Sequence, residues 1–293
     1  MKPTCTRPQL IFFIGTFLFS MVSYAQSYRI ITNKGASVDL IDLSKLVLEN
    51  DVIFFGETHD DSIAHVAQLD VYQGMMSFNK EVALSLEMFE TDVQGVVDEY
   101  MSGKISEDFL IKDGRAWKNY DRDYKPLVEL AKQNNNKVIA ANAPRRYIRM
   151  VSKSGMSSLK DLPSSSLKYL PKLPYHIQSG RYEDKFGNLM GGIHDLGNNS
   201  IYQSQNLWDA TMSWSIYNFK KKNKKTPVLH LCGKFHCEEN LGTVAQLKRL
   251  DKNLKIKVIV AIAEIEYDEL EQEIKNQLAD YIILTPGKTA ENN

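Results

Sequence analysis

The side chains able to do chemistry sit just after apolar runs. Val52-Ile-Phe-Phe55 breaks at Gly56 and delivers Glu57, His59, Asp60 and Asp61 within five positions. Far downstream, Pro227-Val-Leu-His-Leu231 runs into Gly233-Lys-Phe-His236, so the chain carries two Gly-x-x-His units. Other runs end in Glu87 and Glu90, in Asn142 and Arg145, and in Glu264 and Glu266. Imidazole and carboxylate together suit a divalent metal such as manganese, zinc or cobalt. Such a metal lowers the pKa of a bound water for hydrolysis, with one glutamate as general base. On this reading Glu57, His59, Glu87 and His236 hold the metal and carry the catalysis, and Arg145 steadies an anionic group. The bland reading competes. A single Gly-x-x-His is a weak signal, and Asp60, Asp61 and Glu90 fit as helix caps. His65 falls inside a helical pattern and reads as structural. His230 lies between Leu229 and Leu231 in a strand and reads as packed.

Only a parallel sheet brings such distant positions to one rim. Apolar runs at 52–55, 82–86, 137–141, 227–231, 256–262 and 281–284 read as strands. Helical periodicity fills the segments between them: 39–49, 63–76, 91–101, 108–112, 124–133, 201–222, 238–250 and 267–276. Tyr28 to Thr32 adds a short strand, and Thr91 and Pro144 fit helix starts. The expected class is α/β, a mostly parallel sheet with flanking helices. Its strands should end at one ligand-binding edge. Residues 155–200 differ, being rich in Gly, Pro and Ser with weak periodicity. They are too long for an ordinary loop and read as a small, partly helical insertion subdomain. The α/β domain is then 26–154 and 201–293.

With 293 residues, 43% hydrophobic and 25% charged, the composition is that of a globular protein. A net charge of zero gives no nucleic-acid footprint. The first 25 residues read as a cleaved signal peptide, with cleavage about Ala25/Gln26. Lys2 and Arg7 give the positive n-region, Leu10 to Val22 the apolar core, and Ser23-Tyr24-Ala25 the cleavage site. Removing them takes away two cations and no acid, so the charge moves from zero to −2. The apolar core is short for a membrane span, and no other run is long enough. The expectation is an exported protein, periplasmic or secreted. Cys5 precedes the apolar core, so the chain is not an evident lipoprotein. Cys232 and Cys237 remain; a local disulfide, a metal role and plain burial are all open.

Six motifs occur in order: GETHDD from Gly56, Ser85-Leu-Glu-Met-Phe-Glu90, Trp117 with Tyr124-Lys-Pro-Leu-Val128, Asn142-Ala-Pro-Arg145, Gln203-x-Gln205-x-Leu-Trp-Asp209-x-x-Met212, and Gly233-Lys-Phe-His236. Together they resemble the ChaN-type haem-binding family, within the haem-binding-uptake and Tiki superfamily, over about residues 38–285. The resemblance implies an exported haem-binding protein associated with iron uptake. It also implies an α/β domain with a smaller helical domain, and a homodimer enclosing two stacked haems. Iron in that family is held by a tyrosine with a histidine nearby. Tyr175, Tyr182 and Tyr202 are the tyrosines in or beside the insertion, and His59, His236 and Arg145 complete the haem candidates. The superfamily also contains Tiki-type metalloproteases and erythromycin-esterase-like hydrolases, whose Gly-x-x-His and glutamate positions match Glu57, His59, Glu87 and His236. A periplasmic interaction module, with rim residues that only cap helices, is the third reading. Haem binding leads enzymatic activity on the motifs.

Overall fold

The computed structural model describes residues 27–192 and 196–287. The expected signal peptide lies outside them. Seven strands form one sheet: β1 Arg29–Thr32, β2 Val52–Glu57, β3 Ala83–Glu90, β4 Val138–Asn142, β5 Val228–Gly233, β6 Ile256–Ala263 and β7 Tyr281–Thr285. Their spatial order is β1-β7-β6-β2-β5-β3-β4, and only β1 runs antiparallel to its neighbour. The helices, in chain order, are α1 Leu40–Ser44, α2 Ser62–Phe78, α3 Gln94–Met101, α4 Glu107–Asp113, α5 Lys125–Gln133 and α6 Arg145–Ser154. They continue with α7 Ser164–Leu167, α8 Arg181–Leu189, α9 Ser200–Lys222, α10 Gly242–Leu250, α11 Glu264–Glu269 and α12 Gln272–Gln277. None is long and apolar enough to cross a membrane among the described residues.

Central parallel strands covered on both faces should read as continuous apolar runs. β2 and β5 do so, with every residue buried. Successive side chains alternate between two cores. Ile53, Phe55, Leu84, Leu86, Leu229 and Leu231 pack under α2, α3 and α5. Val52, Phe54, Val228, Val258 and Val260 pack under α9 and α10. Phe54 and Phe55 are fully buried, each stabilising the fold by about 1.5–3 kcal/mol relative to exposure.

The expected elements differ from the structure in a few places. Thr91 does not cap a long helix. A short 3₁₀ turn, Thr91–Val93, precedes α3, and the Thr91 hydroxyl donates to Tyr169 O at 2.7 Å. The helix expected over 238–250 begins at Gly242, because Glu239 and Asn240 adopt positive φ. The one expected over 267–276 is two short helices, α11 and α12. Residues 155–200 carry α7, α8 and a 3₁₀ turn at Met156–Asp161. Their apolar side chains form two small clusters, both including residues of α9.

Candidate functional site

β2 and β5 are adjacent and in register, with Glu57 opposite Gly233. His59 follows Glu57 by two residues and His236 follows Gly233 by three, so both reach the same rim. Asp61 then caps α2, accepting from the Ile63 and Ala64 amides at 3.0 and 3.1 Å. The neighbouring pairing of β3 with β4 shifts register between Leu86 and Glu90, where Glu87 sits. Irregularities of that kind re-aim side chains.

Glu57 is 1% exposed, and a buried carboxylate needs donors. It has three: His59 Nδ1 at 2.8 Å, the Tyr124 hydroxyl at 2.5 Å, and Gln68 Nε2. His65 is structural, as its helical position implied. Its two nitrogens face Gln68 Oε1 at 3.0 Å and the His59 carbonyl at 3.1 Å. It thereby fixes both the partner of Glu57 and the turn that carries His59.

His236 closes the 3₁₀ turn Lys234–His236 and is buried. Its Nδ1 lies 2.8 Å from Asp209 Oδ1, and its Nε2 lies 3.8 Å from Glu87 Oε1. Asp209, on α9, is fully buried. It also accepts from the Thr243 hydroxyl at 2.9 Å and the Tyr182 hydroxyl at 2.5 Å. Glu87 Oε2 accepts the Gly233 amide at 2.8 Å. A Cβ on Gly233 would lie 3.0 Å from His59 Nε2 and 3.8 Å from His236 Cδ2. Glycine is therefore what lets the two rings meet over the strand end. Asp209 entered the sequence reading only as part of a motif. The one local signal for its role is its i, i+4 spacing from Gln205, whose amide donates to the Tyr182 hydroxyl at 3.1 Å.

The site is rich in negative charge. Burial pulls the His236 pKa down, but the charges of Glu87 and Asp209 and the Asp209 hydrogen bond outweigh it, and the value rises to about 9. Burial likewise opposes protonation of His59. The Glu57 hydrogen bond and the charges of Glu87 and Glu57 overcome it, and the net shift is upward although His236 works against it. Both imidazoles thus have a carboxylate on Nδ1 and lean toward the charged form.

Glu57, His59, Glu87 and His236 are brought together, yet no group of three His, Cys, Asp or Glu among the described residues is arranged to hold a metal. The local reason lies in the carboxylates: both Glu57 oxygens are taken by side-chain donors, and Glu87 Oε2 by the Gly233 amide.

Arg145, the first residue of α6, is exposed and lies beside this cluster in an open cleft of about 860 Å³. The cleft is lined by Arg115, Trp117, Lys118, Arg145, Arg146 and Arg149, with Glu90 and Asn119 at its side. Arg115 and Arg146 both pair with Asp92, and Arg115 also pairs with Glu90. Lys118, Arg145 and Arg149 make no ion pair among the described residues. Trp117 meets the His59 ring edge-on at 5.0 Å, and Asn119 donates to the His59 carbonyl at 3.3 Å. His59, whose side chain is 45% exposed, therefore borders the cleft.

Tyr175, Tyr182 and Tyr202 are placed elsewhere. All three are buried, none lines the cleft, and their hydroxyls donate inward to Gln203 O, Asp209 and Gln178 O. Burial raises all three pKa values, away from tyrosinate. A tyrosine combines a large apolar ring with one polar atom, so it packs inside wherever that atom finds a partner.

Comparison with known proteins finds a family and a fold. A family model described as "Haem-binding uptake, Tiki superfamily, ChaN" matches residues 43–247. RETICULATA-RELATED 5, a chloroplastic protein of Arabidopsis thaliana, is 24% identical over 270 residues, which cover 83% of this chain and 35% of the relative. The chain thus spans about a third of that relative's length. Among solved structures, ChaN of Campylobacter jejuni with cofacial haem aligns at a TM-score of 0.66 and 18% identity, covering 89% of this chain and 97% of that one. A mutant of erythromycin esterase EreC in its open conformation aligns at a TM-score of 0.53 and 8% identity, again over 89% and 97%. At these identities the two structures speak for the fold.

Proposed function

The chain belongs to the haem-binding-uptake ChaN family of the Tiki superfamily, and we propose that it binds haem in the cleft between Trp117 and the first turns of α6. The observation that carries this reading is three cations with no ion pair among the described residues, Lys118, Arg145 and Arg149, lining one cleft with a tryptophan that sits beside a carboxylate-backed histidine. Haem, when bound, would supply a flat apolar ring, two carboxylates and an iron centre for coordination. The lining, with His59 at its border, fits each part. Arg145 and Arg149 lie one helical turn apart and offer guanidinium forks to carboxylates. Trp117 offers an aromatic face or edge to the ring. His59 Nε2, which has no hydrogen-bond partner among the described residues while Nδ1 is held by Glu57, would ligate iron on giving up its proton, and imidazole is an established axial ligand. The hydrogen bond that Nδ1–H donates to Glu57 fixes the tautomer and raises the basicity of Nε2.

Export and a part in iron uptake belong to the same proposal, supported by the charged and apolar segment at residues 1–25 and by the family. A haem-dependent homodimer is part of it too, since the cleft is open on one side and a second subunit could close it. Titration of the purified protein with haemin should give a saturable, shifted Soret band. The band should weaken in Arg145→Ala/Arg149→Ala and change position in His59→Ala. A wild-type spectrum no different from free haemin would end the proposal. A shift untouched by either variant would move the site elsewhere.

A second reading, hydrolysis, is favoured by one observation: two imidazoles, each oriented by a carboxylate on Nδ1, meet over Gly233. That arrangement suits general acid–base work on a water. Ester or peptide cleavage lost in both His59→Ala and His236→Ala would support it, and inhibition by EDTA would bring the divalent metal back.

A further inference from the structure

Cys232 and Cys237 bracket the Gly-Lys-Phe-His turn, and neither haem binding nor hydrolysis uses them. Cys232 lies on β5 opposite Gly56 of β2. In-register neighbours in a parallel pair point to the same face of the sheet. The space where a Gly56 side chain would stand is taken by Cys237, whose Sγ is 2.6 Å from the Cβ position. The two thiols are therefore next to each other. Both are free, fully buried and in the same apolar cluster. Cys237 also donates to Lys234 O at 3.6 Å, inside the turn that it closes.

We propose that Cys232 and Cys237 are the site of an intramolecular disulfide, formed by exchange with a small-molecule disulfide, that ties the His236 turn to β5. The chemistry balances in two displacements. The thiolate of one cysteine attacks the small disulfide and releases one small thiol. The second cysteine then attacks the mixed disulfide and releases the other. Two S–H bonds of the protein are lost and one S–S bond is gained, while the small disulfide is reduced to two thiols. Burial raises the Cys232 thiol pKa and closes both sulfurs to solvent. Exchange therefore runs while the turn is open, during folding or local unfolding, and the finished bond is shielded from thiols. Once made, it holds Cys237 over Gly56 and so keeps His236 against Asp209.

The test is to refold the full chain from denaturant in oxidised and reduced glutathione, trap thiols by alkylation and map the peptides. The expected product links the Cys232 and Cys237 peptides in most molecules. Reduction by added thiol should then be at least about tenfold slower for the folded protein than in denaturant, since protection follows from local stability. Recovery of both cysteines as alkylated thiols, as glutathione adducts or in links between chains would overturn the proposal. Mapping of the unaltered protein needs no variant, so a substitution that fails to fold cannot blur the result. As a control, Cys232→Ser should leave Cys237 alkylated; a linked Cys237 there would also count against the assignment.

Discussion

Asp209 meets His236 as its sole ionic partner among the described residues, and its other contacts are two hydroxyls. Asp209→Asn keeps the shape and removes the charge. Burial would then weigh more heavily on His236, and its pKa should fall from about 9 toward or below the ordinary 6.5. Imidazole proton shifts followed by NMR across pH measure this, and an unmoved value would assign the whole effect to Glu87. His230 behaves in the opposite way. It is fully buried, bonded to Ser85 Oγ at 2.9 Å and set edge-on to Phe54 at 5.2 Å. His230→Ala should cost about 1–3 kcal/mol of stability and leave haemin affinity unchanged; a loss of affinity would implicate it in the site. Glu57, His59, Glu87 and His236 were legible because a strand end followed by polar residues can be read locally. Asp209 was not, because its carboxylate meets His236 only through the packing of α9. The three tyrosines were not either, since the same side chain suits an interior or a ligand pocket.

At the scale of elements, the site depends on how closely the Lys234–His236 turn lies on β2. A Cβ at Gly56 would come within 2.6 Å of Cys237 Sγ and 2.9 Å of Lys234 Cα. The second of these is backbone and cannot rotate away. Gly56→Ala should therefore cost about 1–3 kcal/mol by overpacking and displace His236. Denaturant midpoints report the cost, and a wild-type midpoint would show that the turn yields freely. The strands were readable because buried parallel strands are short apolar runs with clear ends. The breaks inside expected helices were less so. The positive φ of Glu239 and Asn240 falls on residue types that give no glycine signal, and 272–277 carries the same polar pattern as the helix before it.

For the molecule as a whole, two histidines set opposite slopes of stability with pH. His236 binds its proton more tightly folded, at about 9 against 6.5 unfolded. Its contribution, roughly 3 kcal/mol, is complete below about pH 6.5 and is lost as pH rises through about 9. Burial lowers His230 to about 3 from 6.5, so folding holds it neutral. That stability is present above about pH 6.5 and is lost as pH falls toward about 3, by up to roughly 5 kcal/mol. Unfolding free energy should peak between these limbs, and His230→Ala should flatten the acid one. Urea midpoints measured across the range decide it, and an unchanged acid limb in that variant would assign it to other groups. Assembly is the second whole-molecule expectation. Light scattering should shift from monomer toward dimer as haemin is added, because a ligand held only by the dimer stabilises it. An unchanged monomer at saturation would remove the closed-dimer arrangement. β1 pairs with β7 at one edge of the sheet, whereas the cleft opens beyond β3 and β4 at the other. The first and last strands among the described residues are thus neighbours, and a tether at that edge leaves the far side facing outward. Immobilising the protein on a sensor through a residue at the β1–β7 edge should keep the cleft accessible.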